Sequence, residues 1–91
     1  MPRYYFHVED HQRYLDQDGV ELADLDAARV EAVRVSSDML RDHAVEFWRL
    51  GQWRVVVTDD RDKILFALTF EAVDTTTLPE IYDRTASANL G

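Results

Sequence analysis

The chain has 91 residues and a mass of 10.6 kDa, which leaves room for one hydrophobic core and excludes a second. Apolar residues make up 46% of it and charged residues 31%, a mixture that excludes a disordered chain. Eighteen acidic residues against ten basic ones give a net charge of -8, which opposes sequence-independent binding to nucleic acid or anionic lipid. We therefore expect a single soluble domain that binds neither nucleic acid nor membrane.

Cysteine is absent, and this excludes a disulfide framework, a thiolate nucleophile and a metal site with cysteine ligands. The first nine residues lack the apolar stretch of a signal peptide. The sequence has no window of about 18 apolar residues, the length that spans a membrane. These features predict a cytoplasmic protein.

The N-terminal residues have the period of a strand. Apolar and polar faces alternate over residues 3–9, and this pattern predicts a half-buried first strand. The run 13–15 predicts a short antiparallel strand, and the turn-forming residues 16–19 end it.

From Asp24 the period becomes helical. Asp24 is a good N-cap and Gly51 a natural C-terminal stop, so the pattern predicts one helix of about 40 Å between them. His43 falls near the centre of the apolar stripe, and we expect a buried imidazole there. The stripe consists of Leu25, Ala28, Ala32, Val35, Met39 and Phe47.

The clearest pattern is a hairpin. Alternating apolar residues over 53–58 and 64–70 flank the turn 59–62. The complete order predicts an α+β fold of two layers, β-β-α-β-β, in which one long amphipathic helix packs on a mostly antiparallel sheet. We expect the domain to end near residue 73 and a loosely ordered tail to occupy residues 74–91.

Several segments carry a family resemblance. They are the opening Met1-Pro2-Arg3-Tyr4-Tyr5-Phe6-His7, Asp16 to Leu22, the helix start Asp24 to Ala32, and Trp53 to Asp59. Together they resemble an uncharacterised family of short bacterial proteins, a domain of unknown function, over residues 1–73. The resemblance implies a size class and a compartment but no activity or catalytic residue. The family commonly has a glycine in the turn where this chain has Asp60-Arg61-Asp62. A looser likeness in shape, over Leu22 to Ala32, is to HicB-type antitoxins.

Acidic residues and histidines raise the question of a metal or an acid–base site. The acids Asp10, Asp16, Asp18, Glu21, Asp24 and Asp26 are a candidate for a hard cation, but an EF-hand register places Tyr14 and Leu25 at its two essential acidic positions. We favour the interpretation that Asp16 and Asp18 form a turn, Gly19 takes a positive φ, and Asp24 and Asp26 cap the helix. His7 and His11 are four residues apart, a spacing that aligns ligands on a helix but not in a strand and turn.

An apolar surplus is the most informative feature. A helix of about 40 Å exceeds the roughly 27 Å of an eight-residue strand, so its end must overhang, bend or meet another molecule. Phe47 and Trp48 lie on this overhang. We predict that the sheet face opposite the helix is half apolar and carries Tyr5, His7, Val56, Leu65 and Ala67.

Three functional hypotheses follow. We favour a non-enzymatic cytoplasmic module without cofactor or metal, which forms a symmetric homodimer through an edge strand or the reverse sheet face. The candidate interface residues are Tyr5, His7, Val56, Leu65, Phe47 and Trp48. The alternative is an acidic regulator, similar to an antitoxin, that sequesters a basic partner. The third is a small metal-dependent protein that uses the acidic loop and the histidines.

Overall fold

A computed structural model describes residues 1–73 of the chain, so the predicted tail lies outside the described residues. It contains five strands and two helices, which confirms the α+β class. Neither helix has both the length and the apolar content to cross a bilayer. The elements are β1 (Arg3–Glu9), β2 (Arg13–Tyr14), β3 (Val20–Glu21), α1 (Leu25–Asp42), α2 (Ala44–Leu50), β4 (Gln52–Thr58) and β5 (Ile64–Glu71).

The sheet is antiparallel throughout, with the strand order β2-β1-β4-β5. β2 pairs with the end of β1 at Val8 and Glu9, and β3 pairs with its start at Arg3 and Tyr4. Residues 13–21 therefore run back along β1 with the loop 15–19 between the two short pairings. The predicted strand at 13–15 is confirmed in shorter form, whereas β3 was not predicted.

The core lies where α1 crosses the β1–β4 pair. It contains Tyr4 and Phe6 from β1, Val55 and Val57 from β4, and Ala28 and Ala32 from the helix. Both alanines are completely buried. Small side chains at these positions let the helix approach the sheet closely, because a longer side chain would hold the backbones apart.

The single long helix predicted from Asp24 to Leu50 is wrong. α1 ends at Asp42 and α2 begins at Ala44, with His43 at non-helical φ −127° and ψ 39° between them. The 18 residues of α1 span about 27 Å, which matches the length of an eight-residue strand. The predicted caps are confirmed, since the Asp24 carboxylate accepts from the Ala27 N–H and Gly51 takes φ 85°. His43 is exposed, so its predicted burial is also wrong.

A β-bulge in β5 exchanges two predicted side-chain placements. Val57 pairs with Phe66 and Thr58 pairs with Ile64, so Leu65 is the extra residue. Leu65 packs against the core on the helix side, whereas Ile64 lines a cleft on the opposite face with His7 and Thr58. Strict alternation had predicted the reverse for both.

The β4–β5 turn confirms the predicted hairpin and shows how it forms without glycine. Asp62 takes a left-handed φ of 63°, a conformation that aspartate adopts more readily than most residues. The Asp59 carboxylate accepts from the Arg61 and Lys63 backbone N–H groups and stabilises the turn.

We predict that Ala32→Leu lowers the free energy of unfolding by about 1–3 kcal/mol, because a completely buried alanine has no space for a larger side chain. Urea denaturation measures the change. Val33→Leu on the same helix is the matched control, and because Val33 is 54% exposed it should shift the stability little. Equal losses in the two variants would contradict the close approach of α1 to the sheet.

Candidate functional site

The Asp16 side chain organises the loop 15–19 over the reverse face of the sheet, opposite the helix. Its Oδ2 accepts from the Phe6 N–H at 3.1 Å, and its Oδ1 accepts from the N–H groups of Asp18 at 3.1 Å and Gly19 at 3.2 Å. Phe6 lies on β1 between the residues that pair with β3 and those that pair with β2. The bond from its N–H to Asp16 therefore satisfies a backbone donor between these two pairings. The predicted turn is confirmed, and Asp16 acts in it as an acceptor for backbone groups.

The protonation of Asp16 reflects these contacts. Partial burial acts to raise its pKa, but the backbone N–H groups of Phe6, Gly19 and Asp18 stabilise the charged form and outweigh it. The electrostatic influence of the nearby His7 ring acts in the same direction. The net result is a pKa below the ordinary value of 3.8.

Gly19 shows why this loop needs a glycine. Its φ is +69°, as predicted, and a Cβ there would lie 2.9 Å from both Arg3 Cγ and Tyr5 Cε2. The loop backbone therefore lies directly against β1. It also covers part of the surface that Tyr5 and His7 would otherwise present.

His7 lies under this loop with both ring nitrogens hydrogen-bonded. Its Nδ1 accepts from the Asp16 backbone N–H at 3.0 Å, and this assigns the ring proton to Nε2, which donates to Thr58 Oγ1 at 2.9 Å. Thr58 is buried. In this tautomer Nε2 already carries a proton, so His7 has no free nitrogen with which to activate Thr58 as a nucleophile.

A cleft of about 420 Å³ opens beside this network on the reverse face. Glu9 at its wall is paired with Arg13 at 3.3 Å and with Arg54 at 3.6 Å. Tyr5 and His7 have parallel rings with centroids 6.3 Å apart. The hydrogen bonds of Asp16 and His7 hold the loop on the sheet at this cleft.

The acids considered for a metal site serve other roles. Asp10 accepts from the Gln12 N–H, Glu21 pairs with Arg3, and Asp26 pairs with Arg29 in the first turn of α1. Within residues 1–73, no three His, Asp or Glu side chains converge on a point where a metal ion would fit. His11 is exposed in the turn after β1, whereas the ring of His7 lies under the loop 15–19.

The second distinctive surface lies around α2, and we call Val45, Phe47, Trp48 and Trp53 the aromatic end. Trp53 is buried, and its ring contacts Phe47 edge-on with centroids 6.1 Å apart. His43 also lies against it at 5.8 Å. By contrast Val45 is 78% exposed and Trp48 is 65% exposed.

The candidate interface residues thus fall into separate environments. Trp48 is exposed and Phe47 half-buried at the aromatic end, as expected of an overhang beyond α1. Tyr5, His7 and Val56 are half-buried on the reverse face. Leu65 belongs to the helix side because of the bulge, and Ile64 takes the predicted place on the reverse face.

Sequence reasoning missed the partners that decide these roles. Thr58 carries no motif, and only the register of β1 with β4 brings it to His7. Trp53 was assigned to the helix face of β4, but its aromatic contacts with His43 and Phe47 arise only because the helix breaks. Asp16 gave a usable signal, since an aspartate that precedes a glycine by three residues is typical of a side-chain-stabilised turn.

The comparisons with known proteins place the chain in a family. A family model described as Domain of unknown function (DUF6894) matches residues 3–71. The chain belongs to this family. The match begins with the first residue of β1 and ends with the last residue of β5. No curated protein and no solved structure gives a significant match.

We predict that Asp16→Asn lowers the free energy of unfolding by about 1–3 kcal/mol near neutral pH. The carboxylate accepts at two oxygens, whereas the amide has one oxygen and an NH2 group that cannot accept. The pKa of Asp16 is depressed on folding, so its stabilising effect is complete above the ordinary value of 3.8 and is lost as the pH falls through the folded value. Denaturation of both proteins across pH should therefore show a difference that narrows below about pH 4. Asp18→Asn, which changes an exposed carboxylate in the same loop, is the control. A difference independent of pH would contradict the role of the charge.

We also predict that Thr58→Val costs about 1–2 kcal/mol of unfolding free energy, because the His7 Nε2–H loses its buried acceptor. Ser37→Ala, which removes an exposed hydroxyl from α1, is the control and should not lower the stability. Nitrogen NMR of the wild type should find the ring proton of His7 on Nε2. A proton on Nδ1 would contradict the assigned tautomer.

Proposed function

We propose that this protein is a non-enzymatic cytoplasmic interaction module that associates with a second copy of itself as a symmetric dimer. The observation that carries the proposal is α2. None of the seven residues of this helix is buried, and the apolar side chains of Val45 and Trp48 are exposed to solvent. A helix of this length is not stable in water on its own and depends on tertiary packing.

The aromatic end extends across the sheet towards an edge. Phe47 packs on Trp53, and Trp53 pairs with Phe70 of the edge strand β5. Phe70 is half-buried. A surface with exposed Trp and Val beside partly covered aromatics is typical of a protein interface.

The reverse face favours a structural role over catalysis. Both ring nitrogens of His7 are hydrogen-bonded. Glu9 pairs with Arg13 and with Arg54. The Asp16 carboxylate is occupied by backbone donors. These contacts stabilise a loop, and this supports the assignment of a non-enzymatic function.

The alternative is an acidic regulator that binds a basic partner, and the net charge of -8 supports it. The two proposals predict opposite responses to salt. Apolar self-association persists or strengthens at high ionic strength, whereas attraction between charged surfaces is screened.

We expect sedimentation equilibrium to show a dimer whose dissociation constant rises about tenfold or more in Trp48→Ser, because exposed tryptophans are frequent hot spots. Val30→Ser removes an exposed side chain from α1 and should leave the constant unchanged. Raising the salt from about 0.1 M to about 1 M should not dissociate the dimer. A wild type that stays monomeric at high concentration would overturn the proposal.

A further inference from the structure

The two edges of the sheet differ in how they are protected. The outer edge of β1 carries β2, β3 and the Asp16 carboxylate, so its backbone donors are largely occupied. The outer edge of β5 has no strand partner among residues 1–73. Unpaired backbone N–H and C=O groups along an edge are a template for another strand.

β5 also lacks the features that usually prevent edge pairing. Its eight residues contain no proline, and its single charge is Glu71 at the last position. The bulge at Leu65 lies near its beginning and leaves residues 66–71 regular. Edges that must stay free usually carry an inward charge, a proline or a central bulge.

We propose that the second copy pairs antiparallel with β5 about a two-fold axis at Leu68, so that the dimer forms one continuous sheet. This rests on the proposed self-association and names its surface. Leu68 then lies opposite Leu68 of the second copy, Phe66 opposite Phe70, and Ala67 opposite Thr69. An isologous two-fold contact of this kind closes, which limits the assembly to a dimer.

The side chains on the helix side favour this register. Phe66, Leu68 and Phe70 are half-buried within one copy. Antiparallel pairing about an axis perpendicular to the sheet keeps both helices on the same side of it. The six apolar side chains then line a trough between the two α1 helices, where aromatic pairs across the strands add stability. Through Phe70 and Trp53 this trough is continuous with the aromatic end.

Charge complementarity also favours a second copy. Lys63 immediately precedes β5 and Glu71 ends it, with no charge between them. Antiparallel pairing brings Lys63 of one copy near Glu71 of the other at both ends of the interface. Within β5 itself, two copies of a chain with a net charge of -8 can thus pair without placing like charges opposite each other, because Glu71 lies opposite Leu65.

Site-directed disulfide formation tests the register, because the chain contains no cysteine. Ala67→Cys and Thr69→Cys change exposed positions that lie directly opposite each other in the proposed dimer. Directly opposite Cα atoms are about 4.5–5.5 Å apart, within the range of a disulfide. An equimolar mixture of the two variants under mild oxidation should give the mixed covalent dimer as its main product. Either variant alone should give little, since like positions are offset by two residues along the strands.

Arg13→Cys mixed with Glu21→Cys provides the matched control at the opposite edge, where no cross-link is expected. If the wild type is a dimer but the β5 mixture does not cross-link, the proposed function stands and this inference fails. Efficient cross-linking of Ala67→Cys alone would show a different register and would also overturn it. A monomeric wild type would instead remove the proposed function itself.

Discussion

One helix covers only about two strands, and this constraint shapes the molecule. A helix with its side chains is about 10 Å across and neighbouring strands are about 4.8 Å apart, so α1 can bury the helix side of β1 and β4 but not of β5 as well. The alanines at 28 and 32 bring α1 down on that central pair. Phe66, Leu68 and Phe70 therefore remain half-buried on β5, although their pattern is that of a core strand. The apolar side chains that α1 does not cover therefore lie at this edge and on α2.

The break at His43 reflects a second constraint, the length of the sheet. A straight helix to Leu50 would extend about 12 Å past the end of α1 into solvent. The chain instead breaks and turns the aromatic residues of α2 onto Trp53, which lies at the start of β4. This leaves Phe47 half-buried and Trp48 exposed. The aromatic end is thus a partly covered apolar surface beside α2, the start of β4 and the end of β5.

The reverse face is covered differently, by a loop that polar contacts within the chain hold in place. Asp16, His7 and Thr58 connect the loop 15–19 to β1 and β4 through a series of hydrogen bonds. These groups are of the types used in catalysis, but both ring nitrogens of His7 and both carboxylate oxygens of Asp16 are already hydrogen-bonded to neighbours. The family match spans β1 to β5 and so includes both this network and the outer edge of β5.

The sequence alone was sufficient for everything that depends on local period and local capping. It determined β1, the β4–β5 hairpin, the N-cap of α1 at Asp24, the positive φ of Gly19 and the two-layer α+β class, because alternation, capping and turn chemistry act over a few residues. The tertiary structure decided the rest. The pairing of Thr58 with Ile64 placed the bulge and exchanged the faces of Ile64 and Leu65. The limited width of α1 decided which strands are covered, and the sheet's length decided where the helix ends. These depend on residues far apart in sequence, so no local pattern contains them.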